Sequence, residues 1–275
     1  MTKHSFTASY KYQVRRVILL PIISICGALA AMAVMVAMVN YGFDGKFTLE
    51  GISFPLLDAL AGLTLLIYGA YFLFEFMNAG AANGVSRTTS IISVFASNFT
   101  VSAAISLFVS VISPLLDLIT DAQGDVFLLE FIYGEKRFFE FYGENAFIVR
   151  IRFFIMCTLS VFLFAMIGVL FSAVYYRLPK IGTIIFTLII VFVPLFGYPM
   201  ANVYLGSKGI DLDSCMKEFL AEAGRAFGMA HVNGSQAGNC VRGGLMMLLT
   251  SAVIGAIAWL ILRRANAKPA AVRGE

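Results

Sequence analysis

The residues best suited to contact a ligand form a polar stripe within an apolar stretch of the chain. Asn98, Ser102, Ser106 and Ser110 recur at every fourth position, which places them on one face of a helix. Small residues let neighbouring helices approach closely, and amide and hydroxyl groups can hydrogen-bond across such a contact. The spacing therefore predicts either a helix-packing face or a polar path for a substrate, and the sequence leaves both interpretations open.

Groups used in catalysis or metal binding are otherwise sparse. The sequence contains no HExxH zinc site, no GxSxG elbow and no Walker A loop. Cys26 and Cys157 lie in apolar runs, whereas Cys215 and Cys240 share one predicted outer segment and can form a disulfide in an oxidising compartment. We expect a protein that is not an enzyme and binds no metal or cofactor, so that energy for any active transport comes from a partner.

The elements that position these residues must be membrane helices, because the composition does not suit a soluble fold. Sixty per cent of the 275 residues are hydrophobic and only 13% are charged, and the mean hydropathy is +0.86. Soluble domains carry about 25% charged residues. No basic run is interleaved with aromatic residues, so nucleic acid is not an expected partner and the lipid bilayer is.

Six apolar stretches are long enough to cross a bilayer as helices, which need about 20 residues each. Only a helix satisfies its own backbone hydrogen bonds in lipid as a single segment. The sequence therefore predicts an all-α membrane protein with one transmembrane domain over residues 1–275. The predicted spans are 17–39, 52–74, 91–116, 153–175, 181–204 and 243–262.

Basic residues near the span ends set the predicted orientation. Bases in the amino-terminal tail, after the fourth span and after the sixth span favour a cytoplasmic side that holds both termini. Arg150, Arg152 and Arg242 oppose this assignment, because each stands at a predicted outer helix end. The two outer segments, 117–149 and 206–242, combine acidic, aromatic and turn-forming residues, and we expect short interfacial helices there.

The amino-terminal tail has a helical period of its own. Phe6, Tyr10, Val14 and Val17 fall on one helix face, beside the basic residue Lys11. This pattern is typical of a short amphipathic helix on the inner membrane surface. A disordered tail with basic anchors is equally compatible with the sequence.

The second cytoplasmic segment carries the clearest local signals. Asn83-Gly84 favours a turn, and Ser86 can cap a helix that begins near Arg87. The segment is either a tight inner loop with one orienting arginine or a docking point for a cytoplasmic partner.

Two short motifs resemble those of bacterial ABC-2-type transporter permeases. The residues Asn-Gly-Val-Ser-Arg-Thr-Thr at 83–89 are similar to the G-[IVA]-S-R-[KT]-T loop of that family, and Tyr-Tyr-Arg-Leu-Pro-Lys at 175–180 is similar to its YR-x-x-K turn. The predicted six spans, the orientation and the chain length also fit. Both outer segments are longer than in the simplest members, which leaves the outer architecture open.

The resemblance implies a multi-pass permease subunit of an ABC exporter in a bacterial plasma membrane. Two permease subunits, as a homodimer or a heterodimer, would pair with cytoplasmic ATPase subunits that bind the ATP. The loop between the second and third spans would enter an ATPase cleft as a coupling helix. Carried over by position, the candidate coupling residues are Asn83, Gly84, Val85, Ser86 and Arg87, with Arg177 and Lys180 on the same face.

Other functions fit the sequence less well. An ion-coupled carrier usually needs ionisable groups at mid-membrane, and none lies in the middle of a predicted span. A channel or secondary carrier is therefore only the third interpretation. A non-transporting scaffold or sensor with acidic outer segments is the main alternative. The apolar and small polar spans favour an amphipathic or hydrophobic cargo over a charged one.

Overall fold

The computed structural model describes residues 3–44, 57–120, 146–192 and 240–263, together with single positions between 196 and 222. Most of the two predicted outer segments and the proposed pairing of Cys215 with Cys240 lie outside these residues. Within the described part, the chain is helical and contains no strand. The principal helices are α1 (Lys3–Asp44), α2 (Leu57–Ala82), α3 (Arg87–Thr120), α4 (Ala146–Arg177), α5 (Lys180–Phe192) and α6 (Cys240–Arg263).

Four of these helices are long and apolar enough to cross a membrane. The qualifying stretches are Ala61–Ala82, Arg87–Ile112, Ile151–Arg177 and Val241–Arg263, in α2, α3, α4 and α6. The chain is therefore a multi-pass helical membrane protein. The four stretches match the second, third, fourth and sixth predicted spans. Helices α3, α4 and α6 extend beyond their predicted spans at both ends, and α2 continues eight residues past the end of its span to Ala82.

The other two predicted spans correspond to α1 and α5. Helix α1 contains the predicted first span but already begins at Lys3. From Lys3 onward, the amino-terminal tail is thus part of one continuous helix with the predicted first span, and neither disordered nor a separate surface helix. Helix α5 runs from Lys180 to Phe192, so it covers the first half of the predicted fifth span. The count of six spans stays a prediction.

Helices α1 and α3 run in the same direction. The Ser9 and Ser93 hydroxyls are hydrogen-bonded at 2.9 Å, and Gln13, one turn further along α1, contacts both Ser93 and Ser97. When residues later in one helix contact residues later in the other, the two helices must be parallel. The start of α1 therefore lies beside the start of α3.

Helices α2 and α4 also run parallel to each other, and among the described helices this pair packs most extensively. Gly62 lies against the ring of Phe164, and Phe74, three turns later, contacts Tyr176 with ring centroids 5.2 Å apart. Close backbone approach makes this contact: a Cβ atom on Gly69 would lie 2.5 Å from the Ala165 carbonyl oxygen. Glycine is required there because any side chain would force the helices apart.

Helix α6 follows the direction of α4, its main neighbour. Ser160 donates a hydrogen bond to the Met247 sulfur at 3.5 Å, and Arg177 reaches the Ile261 carbonyl near the end of α6. The start of α1, the connection between α2 and α3, and the ends of α4 and α6 thus all lie at one end of the bundle. We call it the basic end, because the exposed charged side chains that the structure describes there are cationic, and the acid beside them, Glu75, is half-buried. The exposed cations are Lys11, Arg15, Arg16, Arg87, Arg177 and Arg263.

Candidate functional site

The connection between α2 and α3 is a tight turn at the basic end. Gly84 adopts φ +66°, a left-handed conformation that costs other residues energy. The Gly84 amide donates to the Ala81 carbonyl at 3.2 Å, and the Val85 amide donates to the Gly80 carbonyl at 2.9 Å. These two bonds form a Schellman motif, which satisfies the carbonyls at the end of α2. The turn predicted at Asn83-Gly84 is confirmed.

Ser86 then caps α3, as its sequence position indicates. Its hydroxyl oxygen accepts a hydrogen bond from the Thr89 amide at 3.2 Å, and its carbonyl accepts one from the Ser90 amide at 2.9 Å. The Ser86 and Thr89 hydroxyls lie 2.6 Å apart and form a further bond. An N-cap of this kind contributes about 1 kcal/mol. The helix consequently begins at Arg87.

The turn presents a compact polar surface on a rigid base. Asn83, Gly84, Ser86 and Arg87 are exposed, whereas Val85 is half-buried. No separate helix stands between α2 and α3, so any part of this connection that enters a partner consists of the turn and the adjoining helix ends. The base is closely packed, because a Cβ on Gly80 would overlap the Ser90 hydroxyl.

Arg177 lies at the basic end but is associated with α6 rather than with the turn. It donates a hydrogen bond of 3.5 Å to the Ile261 carbonyl, where a cation also complements the negative end of the helix dipole. Among the contacts of the described residues, none joins Arg177 to residues 83–87. Lys180 begins α5, and its side chain lies outside the described part of the chain.

The predicted polar stripe lies on the interior of the bundle. Asn98 is 5% exposed, and Ser102 and Ser106 are fully buried in α3. In the described part of the chain, the Asn98 amide nitrogen and the Ser102 and Ser106 hydroxyls have no hydrogen-bond partner. Ser110 is half-buried and donates to the Ser106 carbonyl at 2.7 Å. The stripe therefore holds polar groups that remain available to a ligand or to water.

A second polar group, missed by the sequence reasoning, joins α1 to α3. The Gln13 amide donates to Ser93 at 2.9 Å and to Ser9 at 3.2 Å, and its oxygen accepts a bond of 3.3 Å from Ser97. Gln13 is 1% exposed although it precedes the predicted first span. The recurrence of serine at positions 90, 93 and 97 is the available sequence signal, but it does not identify the partner helix.

A charged contact between α1 and α2 was also not predicted. Arg16 Nε lies 3.4 Å from Glu75 Oε1, and the Tyr12 hydroxyl donates to the same oxygen at 3.2 Å. Partial burial, followed by the charge and hydrogen bond of Glu75, raises the pKa of the Tyr12 phenol, and Arg16 offsets part of this effect. Tyr12 consequently stays protonated at neutral pH and acts as the donor.

Comparisons of the chain with protein-family models, with curated proteins and with solved structures found no match. The two motifs at 83–89 and 175–180 therefore carry the resemblance to ABC-2-type permeases by themselves, and function must be argued from the site.

Proposed function

We propose that this chain is the membrane-spanning permease subunit of an ATP-driven ABC exporter. It would have six spans in a bacterial plasma membrane, with the basic end on the cytoplasmic side. A separate ATPase subunit would bind the ATP and contact the turn at 83–87. A second permease subunit, identical or different, would complete the transporter.

The observation that carries the proposal is the exposed turn between α2 and α3, which hydrogen bonds hold at both ends. A contact that transmits force must not deform, and this turn is fixed on one side by the Schellman bonds and on the other by the Ser86 cap. The predominance of exposed cations at the same end favours the cytoplasmic side. It also suits an acidic rim on a partner, because complementary charge speeds association and fixes orientation.

Movement of the turn would be passed directly to two helices. Helix α2 would carry α4 with it, because the close backbone contact at the glycines leaves no space for one helix to slide along the other. Helix α3 contacts α1, α2, α4 and α6 and carries the stripe of buried polar groups. Displacement of α3 would therefore expose Asn98, Ser102 and Ser106 to a cargo. These three side chains would line the path of the cargo during export.

The test is purification of the complex from the native cell in mild detergent, followed by mass spectrometry. We expect a protein with a GxxxxGK[ST] loop to accompany the chain. Arg87→Glu should lower its recovery about tenfold or more, since loss of an interfacial charge pair costs about 2–5 kcal/mol. Folding should be preserved, because a glutamate at the first position of α3 is favourable to the helix dipole.

Two matched variants make the result specific. Lys11→Glu makes the same charge change at another exposed site of the basic end and should retain the ATPase. Arg87→Lys keeps the positive charge, and this variant should retain most of the ATPase. If Arg87→Glu fails to insert, Arg87 acts as a topology signal and its coupling role loses support. Repeated purification without any nucleotide-binding protein would favour the scaffold or sensor alternative.

A further inference from the structure

A cleft of about 630 Å³ opens between α1 and α2 near the basic end of the bundle. It is lined by Arg16, Ala70, Tyr71, Phe74 and Glu75. The described part of its lining thus combines one cation, one anion and two aromatic rings. Glu75 stands about 10 Å along α2 from the end of the helix at Ala82, given a rise of 1.5 Å per residue. This position is close to the depth of lipid headgroups if the basic end marks one membrane surface.

The charged pair in the cleft uses only part of its bonding capacity. The Arg16–Glu75 contact employs Nε of the guanidinium and Oε1 of the carboxylate, and Tyr12 also binds Oε1. Among the described contacts, none involves the two terminal nitrogens of Arg16 or Oε2 of Glu75. A guanidinium edge suits the oxygens of a phosphate, and a free carboxylate oxygen suits an ammonium donor. The cleft can therefore receive both charges of a zwitterion at once.

Apolar surface continues from the cleft toward the middle of the bundle. Leu19 and Ile23 follow Arg16 at i+3 and i+7 on the same face of α1, and both are exposed. Ile67 and Tyr71 precede Glu75 at i−8 and i−4 on the same face of α2, and both are exposed as well. A molecule with a zwitterionic head and hydrocarbon tails matches this arrangement, in which a charged cleft is followed by apolar surface.

We propose that the cleft between α1 and α2 binds the headgroup of an ethanolamine phospholipid, with the phosphate on Arg16 and the ammonium on Glu75. The short ethylene bridge of the headgroup keeps its phosphate and its ammonium close together. This spacing suits the cleft, because the Arg16 and Glu75 side chains that would bind them are in contact with each other. The acyl chains lie along the exposed apolar residues of α1 and α2. This site is separate from the turn at 83–87, and the proposal does not depend on the ATPase partner.

The test uses the full chain, purified and stripped of lipid, with phosphatidylethanolamine, phosphatidylcholine and phosphatidylglycerol added separately. Native mass spectrometry measures the retained lipid. We expect about tenfold tighter retention of phosphatidylethanolamine than of the other two. A quaternary ammonium cannot donate a hydrogen bond to Glu75, glycerol carries no charge for it, and loss of one charge-assisted bond corresponds to about this ratio.

Three variants locate the effect. Glu75→Gln should abolish the preference for ethanolamine over choline, and Arg16→Gln should weaken retention of both. Ala70→Leu fills the cleft without removing a charge and should displace the lipid even if the charge variants fold poorly. Arg15→Gln is the matched control, because Arg15 is exposed next to Arg16 but does not line the cleft.

Three results would overturn the proposal. Equal retention of the three lipids, or a preference that survives both Glu75→Gln and Ala70→Leu, would mean that the cleft does not select a headgroup. Efficient crosslinking of a Tyr71→Cys variant into a dimer in native membranes would mean that a second copy of the chain, and not a lipid, covers the cleft.

Discussion

Two pairs of parallel helices in this protein are joined by opposite chemistry. The α2–α4 contact is apolar and brings backbone against backbone: a Cβ on Gly168 would overlap the Leu66 carbonyl oxygen. The α1–α3 contact instead places Gln13 among the hydroxyls of Ser9, Ser93 and Ser97. The hydrophobic effect does not drive helices together within a bilayer, so van der Waals fit and hydrogen bonds supply the direct contacts between them.

The two contacts differ in how easily their helices can move relative to each other. A glycine contact is specific to one register, because displacing either helix brings a side chain against the opposing backbone. Hydroxyl and amide groups can exchange one partner for another along a serine-rich face, so the α1–α3 contact can adjust at a lower energy. We therefore expect α2 and α4 to move as one unit and relative motion to occur between α1 and α3.

The largest effect should come from adding one methyl group to the glycine contact. Gly168→Ala should destabilise the protein by about 1–3 kcal/mol, the usual range for overpacking, because the clash is with backbone that cannot rotate away. Fluorescence of Trp259, the single tryptophan of the chain, can follow unfolding in mixed micelles.

Gly27→Ala is the matched control for that experiment. A Cβ at Gly27 in α1 meets no atom within 4 Å. Alanine also has the higher helix propensity, by about 1 kcal/mol. This variant should be neutral or slightly more stable. Equal destabilisation by both substitutions would show that the α2–α4 contact is not unusually close.

A smaller loss is expected when the polar network is cut. Gln13→Leu should cost about 1.2 kcal/mol, since each of its two hydrogen bonds to α3 contributes about 0.6 kcal/mol, the average for such bonds between membrane helices. A double-mutant cycle with Ser97→Ala should reveal most of this energy as coupling between the two side chains. Strict additivity of the two single variants would mean that they do not interact.

The smallest effect on stability is expected in the stripe on α3. Ser102→Ala should change the unfolding free energy by less than about 0.5 kcal/mol, because the hydroxyl has no hydrogen-bond partner within the described residues. Ser93→Ala, which removes bonds to Ser9 and Gln13, should cost more. If the two variants are equally destabilising, Ser102 has a bound partner and the contrast between the serines fails.

Features encoded by neighbouring residues were predictable, and features that join distant residues were not. The turn at 83–84 and the cap at Ser86 follow from local preferences, and four apolar stretches identified α2, α3, α4 and α6. The glycine contact pairs Gly69 with Ala165, which are far apart in sequence. No hydropathy pattern specifies which two apolar faces meet.

The candidate sites divide in the same way. The exposure of Arg87 was expected from its place in a polar loop, and the interior position of Ser102 and Ser106 from helical spacing. The association of Arg16 with Glu75 was not expected, because the two residues are far apart in the sequence and no local pattern joins them. Helix pairing determines which charges meet, and pairing is a property of the whole bundle.

The turn between α2 and α3 also bears on how the chain is built during synthesis. Its two Schellman bonds and the Ser86 cap involve only residues 80–90, so nothing translated later is needed to close it. Closing so short a loop carries little entropy loss. Helices α2 and α3 can therefore enter the bilayer together as a finished hairpin, onto which α4 packs when its glycine face emerges from the ribosome.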